Sequence, residues 1–407
     1  VILVDQRPML EAIRVGVAIP EEYIGTLIVG RKMEKKLIED DVDYVLTYGR
    51  SKVRIFLGAY GYGKTTLAKY AIKVAGEKAF LYSSLSEKDY KGFYKQDELF
   101  RSIMKNLRYH GYDGNPVGIL LDNWVVETKE RGQHTLEYIS REQLPSYLTR
   151  DQKMPAGFFT DFSAAYLFNS LNKLDTRDLI SYIQGDKIDK RALRRHGINH
   201  FLEDDGWNFL KGFVSLIRNM KFPGLLLIMD ELENLRSNRR DLRDKTYNQL
   251  REILDRLLGG DINGIHCIWL GTMDWFEDQV AGVKSYTALY ERIRREINEF
   301  QTRESVVLQL TPMVRKELEE LVDLLIKIYR ETYSTDFSQE ERNAILKEAL
   351  ERFTNLNNEI SVSPRQLIKW VVDVLDITKE KPEDLSLAIR SVAERVVKTD
   401  NPYEDLF

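Results

Sequence analysis

Residues 58–66 read Gly58-Ala59-Tyr60-Gly61-Tyr62-Gly63-Lys64-Thr65-Thr66, a fit to G-x-x-x-x-G-K-[ST] at every fixed position. A mostly apolar run, residues 53–57, leads into the stretch, and a helical pattern, residues 67–74, leaves it. Strand, glycine loop, helix is the context this motif needs. The glycines let backbone N–H groups turn inward around phosphate oxygens at a helix N-terminus. In that arrangement Lys64 reaches the β- and γ-phosphates and the Thr65 hydroxyl ligates Mg²⁺. A chance glycine turn before a helix is the plain alternative, and the agreement of motif and flanks weighs against it.

The chain has 407 residues, 43% hydrophobic and 30% charged, which allows two or three domains with a sizeable core. Its formal net charge is -4. A basic field over the whole surface is therefore absent, and any nucleic-acid contact has to be a local patch. The single cysteine, Cys267, falls in a predicted strand. Disulfides within the chain and a cysteine-rich zinc site are excluded, and a reducing, cytoplasmic location fits. No apolar run reaches the length of a membrane span. Residues 1–8 carry Asp5 and Arg7 and lack a signal-peptide pattern. A valine at position 1 points to numbering that begins inside a longer product.

Upstream of the loop, residues 9–15 read as a short helix, 25–31 as an extended approach to a turn, and 32–46 as a helix. Downstream, residues 79–83 read as a second strand. Residues 96–109 read as a helix, with Leu99, Ile103 and Leu107 at helical spacing. Helical patterns continue through 118–128, 161–171, 177–183, 190–196 and 207–220. The expected division is 1–110 with the phosphate loop, a helical insertion at 111–204, a return to the core at 205–312, and a helical lid at 313–407.

Residues 224–229 (GLLLIM) form a continuous apolar run ending in Asp230-Glu231. Buried parallel strands look like this. Asp230 is placed to hold Mg²⁺ through its water shell, and Glu231 to polarise an attacking water as general base. A strand that merely ends in two exposed acids is the alternative. Residues 247–258 read as an amphipathic helix. Residues 264–270 (GIHCIWL) read as the next buried strand, and Thr272 follows it as a candidate γ-phosphate sensor or a plain turn residue. Residues 306–310 read as the last strand. Four helical patterns then follow, at 315–332, 338–353, 364–377 and 382–397, a small bundle of its own.

This order of motifs resembles an AAA+ ATPase, over nearly the whole chain. It is similar to the initiator-like branch that includes origin-recognition and STAND ATPases. More narrowly, it is similar to the BrxD-type ATP-binding proteins of BREX phage-defence systems. The stretches that carry this are EAIRVGV and VGR ahead of the loop, GAYGYGKTTL, FYKQDELFRSIMKNLR, LLDNWV, LISYIQGD, ALRRHGI and LKGFVSLIRNMKFPGLLLIMDELENL. The resemblance implies an α/β core with a parallel sheet flanked by helices, ATP/ADP and Mg²⁺ as cofactors, and ATP hydrolysis. It implies that Gly30 and Arg31 belong to an adenine-side box. It implies that Arg365, in Ser363-Pro364-Arg365, is a sensor-2 arginine. It also implies that Arg292 is an arginine finger acting in a homo-oligomer, with Arg294 and Arg295 competing for the role. A winged-helix domain like that of origin-recognition proteins is not expected, since about ten residues follow Val397, and an origin-binding role like theirs is not expected either.

Two basic clusters stand out. Lys187, Lys190, Arg191, Arg194 and Arg195 lie in the insertion beside His196. Arg236, Arg239, Arg240, Arg243 and Lys245 lie after Asp230-Glu231, in an expected loop. Either can neutralise phosphates, and either can be a solvated mixed-charge face, since aspartates interleave with both. Two functions remain. One is an ATP-driven motor or switch acting on DNA, or on a DNA-bound partner such as a helicase, in phage defence. The other is a slowly hydrolysing, STAND-like signalling or scaffold module.

Overall fold

The structure is a computed structural model, and it describes residues 5–17, 19–132, 136, 138–154, 157–294, 305–354, 364–380, 389 and 392. In chain order the first elements are α1 (Arg7–Val15), α2 (Lys32–Tyr48), β1 (Lys52–Leu57), α3 (Lys64–Glu77), β2 (Leu81–Leu85), α4 (Gln96–Lys105) and β3 (Leu107–Tyr109). A helical stretch follows: α5 (Val117–Arg131), α6 (Leu144–Arg150), α7 (Phe158–Leu171), α8 (Arg177–Ile183), α9 (Lys190–Arg195) and α10 (Gly206–Asn219). The chain then returns to the sheet with β4 (Leu225–Met229), α11 (Arg240–Leu258), β5 (Ile265–Gly271), α12 (Met273–Glu277), α13 (Thr287–Arg294) and β6 (Val307–Gln309). Three described helices end it: α14 (Arg315–Tyr333), α15 (Gln339–Phe353) and α16 (Pro364–Glu380).

The chain divides into two compact units. One holds Val1–Lys35, Gly58–Lys73 and Leu310–Phe407; the other holds Lys36–Leu57 and Val74–Gln309. The second unit carries a six-stranded sheet in the order β3-β2-β4-β5-β1-β6. All pairings are parallel except β2 with β3. Every residue of β4 and β5 is buried, as expected of strands covered on both faces. Leu57 pairs in register with Gly271, and Met229 with Trp269. The three central strands therefore finish at the same edge, and Asp230 and Thr272 leave from neighbouring strand ends. Ligands of open α/β sheets bind at such carboxyl ends.

The first unit has its own core. Met9, Leu10, Ile13, Tyr23 and Leu27 pack with Leu318, Leu321, Leu325, Trp370, Val371 and Leu375 of the C-terminal helices. Helix α1 has nine residues, and isolated helices below roughly 12–15 residues are marginal in water. Its apolar face against α16 is what holds it helical.

Several expectations need correction. The helix expected over 96–109 stops at Lys105, and Leu107–Tyr109 turns back as an antiparallel edge strand on β2. Residues 25–31 are not uniformly extended, because Glu21–Thr26 is a 3-10 helix. The second strand sits two residues later than expected, at Leu81–Leu85. Arg240, Arg243 and Lys245 are not in a loop: α11 begins at Arg240, with Arg243, Thr246, Tyr247 and Leu250 buried along one face. Lys187 precedes α9, which spans only Lys190–Arg195. The fourth lid helix, expected at 382–397, falls outside the described residues, apart from the single positions Ile389 and Val392.

Candidate functional site

Within the first unit, the loop of residues 58–63 turns on Gly61 and Gly63, both at φ 82°, a conformation costly for any residue with a Cβ. The turn carries the chain into the first turn of α3, where Lys64, Thr65 and Thr66 stand. The Lys64 ammonium folds back over the loop and donates to the carbonyl oxygens of Gly58 at 2.9 Å and Ala59 at 3.1 Å. It also lies 5.2 Å from the centre of the Tyr60 ring. Lys64 is buried while Thr65 and Thr66 are exposed. An ammonium inside the loop, with α3's N-terminal amides and an accessible hydroxyl beside it, is an arrangement for oxyanions. The exposed Thr65 hydroxyl also suits a Mg²⁺ ion, which keeps several waters and takes few protein ligands beside the phosphates.

A cavity of about 440 Å³ in the same unit meets this loop. Gly61, Tyr62, Gly63, Thr65 and Thr66 line one end. Ile13, Val17, Ile19, Leu27 and Val29 come from the N-terminal segment, and Met313, Leu321 and Ile368 from the C-terminal helices. An apolar slot with a phosphate loop at one end matches the two chemistries of a nucleotide. Gly30 and Arg31 sit at the junction, both with positive φ. Arg31 donates to the carbonyl oxygens of Tyr62, at 3.1 Å, and of Thr311, and it pairs with Glu34 at 3.1 Å. A Cβ on Gly30 would collide with the Glu317 carboxylate, which accepts from the Val314 N–H at 3.0 Å and lines the cavity.

The second unit positions the other candidates. Asp230 follows β4, and its N–H donates to Leu85 O at 2.9 Å. Its Oδ1 accepts from the Glu231 N–H at 2.8 Å. The Tyr90 hydroxyl donates to the Asp230 carbonyl oxygen. Burial, then the Asp230 charge, raises the Tyr90 pKa, so the phenol stays protonated and donating. Glu231 is exposed and held in the left-handed region at φ 59°, a strained conformation that surrounding structure must impose. Among the described residues, its carboxylate accepts a long bond from the Glu87 N–H, 3.4 Å. Thr272 is buried and caps α12: its Oγ1 accepts from the Trp275 N–H at 3.1 Å.

Arg292, on α13, is half exposed and pairs with Asp255 at 3.0 Å. Arg294 is exposed on the same helix, and Arg295 falls outside the described residues. Arg365 stands in the first turn of α16, in the first unit, and its side chain falls outside what is described. Of the predicted residues, the structure brings together Gly30, Arg31 and residues 58–66 in the first unit. Asp230 and Glu231 are neighbours in the second, with Thr272 at the adjoining strand end. The cavity walls Val17, Glu317 and Ile368 were missed by sequence reasoning, since they come from opposite ends of the chain and carry no motif.

The basic clusters are largely paired within the chain. Lys187 meets Glu98 at 2.7 Å, Arg236 meets Asp278 at 2.5 Å and Arg239 meets Asp241 at 3.1 Å. Arg243 is buried and donates to the carbonyls of Asn238 and Val280. Lys190 and Arg194 lie over the Phe201 ring, 4.5 and 5.4 Å from its centre. Arg191, Arg194 and Arg195 remain exposed on α9.

The sequence matches the family of BREX system ATP-binding proteins BrxC/D over residues 4–389. The chain belongs to this family. Curated proteins give no significant match to it. Among solved structures it is similar to the ORC2 protein of Aeropyrum pernix in its ADPNP-ADP complexes, with 14% identity, 89% of this chain and 68% of that one covered, and a TM-score of 0.46. It is also similar to a Walker-type ATPase of Pyrococcus abyssi, with 14% identity, coverage of 91% and 72%, and a TM-score of 0.40. A third is the Aeropyrum pernix ORC1 protein in complex with DNA, with 9% identity, coverage of 92% and 67%, and a TM-score of 0.41. As a member of the BREX family the chain is an ATP-binding protein. Among the described residues, no helix is long and apolar enough to cross a membrane.

Proposed function

We propose that this BREX ATP-binding protein is a cytoplasmic, Mg²⁺-dependent AAA+ ATPase, and that its nucleotide state switches its association with DNA or with partner defence proteins such as a helicase. The observation that carries the reading is the Lys64 ammonium held inside a glycine loop that opens on an apolar cavity. Lys64 neutralises the β- and γ-phosphates, and the loop amides and α3 orient them. Thr65 and Asp230 would hold Mg²⁺, Asp230 through its water shell. When bound, Mg²⁺ would supply neutralising charge for the phosphates. Glu231 takes a proton from the attacking water. Thr272 and Arg365 report the γ-phosphate from the sheet and the lid. Arg292, released from Asp255, is a finger supplied in trans within a homo-oligomer.

DNA is assigned to the exposed face of α9, through Arg191, Arg194 and Arg195. The test is ATP turnover at rising protein concentration, with and without duplex DNA. The switch reading requires turnover that depends on Mg²⁺ and changes with DNA. A second reading, the slowly hydrolysing signalling scaffold, is favoured by the internal pairing of Lys187, Arg236 and Arg239. It requires turnover indifferent to DNA.

A further inference from the structure

The cavity wall supplied by the N-terminal segment is fastened from behind. Arg14, in the last turn of α1, donates from Nε and Nη2 to the two carboxylate oxygens of Asp376 on α16, each at 2.7 Å. Its Nη1 donates to the Tyr333 hydroxyl at 2.9 Å, and the Tyr329 hydroxyl donates to Asp376 at 2.6 Å. Lys369, a cavity-lining residue of α16, donates to the Arg14 carbonyl oxygen at 2.6 Å. A planar fork meeting a carboxylate in this way fixes orientation as well as distance. Just past this latch the chain turns at Gly16, φ 71°, and delivers Val17, which lines the cavity yet stays 54% exposed. Ile13, on the same last turn of α1, is buried in the lid core and also lines the cavity.

We infer that α1 is a base-side clamp: the Arg14–Asp376 latch holds Ile13 and Val17 against the flat apolar face of a purine ring. The inference rests on the nucleotide reading of the cavity. Docking of a nine-residue helix and binding of the ring against it stabilise one another, because each buries apolar surface that the other leaves open. The phosphates, held by the loop at the other end, gain nothing from the latch. Arg14 and Asp376 are positioning residues, since they act on the ring through Ile13 and Val17.

The experiment compares ATP with inorganic tripolyphosphate, both with Mg²⁺, by isothermal titration on the whole chain. Asp376→Asn is expected to weaken ATP about tenfold, the equivalent of one lost charged pair, and to leave tripolyphosphate binding unchanged. Asp376→Glu keeps the carboxylate and restores ATP affinity. Val17→Ser, which leaves the latch intact, selectively weakens ATP as well. ATP, and not tripolyphosphate, slows trypsin cleavage within residues 5–20. Equal loss of both ligands in Asp376→Asn, or loss of neither, overturns the clamp. A wild-type protein that binds neither ligand overturns the nucleotide reading beneath it, which is a different failure.

Discussion

Arg31 donates to the carbonyl oxygen of Tyr62 at 3.1 Å and, from the same nitrogen, to that of Thr311. One guanidinium thus ties the turn at Gly30 to the crown of the phosphate loop and to the start of the C-terminal helices. The second nitrogen, Nη1, pairs with Glu34 at 3.1 Å, and a lysine ammonium, a single point charge, cannot hold the two carbonyls and this carboxylate together in fixed directions. Arg31→Lys and Arg31→Ala are therefore expected to loosen the loop itself and to weaken ATP and tripolyphosphate alike, by about tenfold for a lost charge-assisted hydrogen bond. Titration of both ligands checks this; selective loss of ATP alone would place Arg31 at the base.

The Lys64 ammonium donates to two loop carbonyls, those of Gly58 and Ala59. On the nucleotide reading, binding would exchange these neutral carbonyl acceptors for anionic phosphate oxygens, which carry the charge complementary to the ammonium. Lys64→Ala should abolish measurable ATP binding while the protein remains folded by circular dichroism. Retained affinity in a folded variant would remove the central claim about the loop.

Glu231 is exposed and left-handed, with a carboxylate that makes one long hydrogen bond. A side chain so weakly held is available to a water molecule. Glu231→Gln keeps the shape and removes the base, so ATP binds normally while turnover falls on the order of 10²-fold or more. Single-turnover hydrolysis measured beside titration separates the two effects. Wild-type turnover in the variant moves the base elsewhere.

Much of the fold was legible because its signals are local. The loop motif, the buried run Leu225–Met229 before Asp230 and the helical spacing in α8 each declare themselves within about ten residues. Errors arose where tertiary context decides. Leu107–Tyr109 carries helical periodicity inherited from α4, yet pairing with β2 captures it as an edge strand. The charges of α11 hid its first two turns, since Arg243 is buried by bonding to carbonyls rather than by being apolar. The cavity was the least legible part. Its walls are Val17 and Ile368, some 350 residues apart, and only folding shows that they share a slot.

The exposed arginines of α9 give the DNA assignment a direct test. Arg191→Glu with Arg194→Glu should weaken duplex binding at low salt and flatten its salt dependence, since phosphate contacts release counterions in proportion to their number. Anisotropy titrations from about 50 to 200 mM salt cover the informative range. Unchanged binding in the double variant returns α9 to an ordinary solvated face packed on Phe201.

His266 is the second residue of β5, fully buried. Among the described residues neither ring nitrogen makes a well-formed side-chain hydrogen bond, and the Lys52 backbone is a polar group acting on it. Burial lowers its pKa to about 4, opposed by the charge of Asp41 and assisted by those of Arg54 and Lys52. Asp41 and Arg54 form a buried bidentate pair nearby, at 2.8 and 2.7 Å. The folded protein therefore keeps this imidazole neutral at pH values where the unfolded chain, with a pKa near 6.5, has already protonated it. Between these two values the unfolded state binds more protons, so stability rises with pH there. The contribution is fully present above about pH 6.5 and is lost progressively as the pH falls toward 4. Between pH 7 and pH 5 the loss amounts to about 2 kcal/mol. His266→Leu fills similar space and leaves no former partner unsatisfied, so it should fold and lack this acid sensitivity. Urea midpoints measured across pH 5–7 are expected to fall in the wild type and to stay nearly level in the variant. Parallel slopes in the two proteins would mean that burial does not depress the His266 pKa in the folded state.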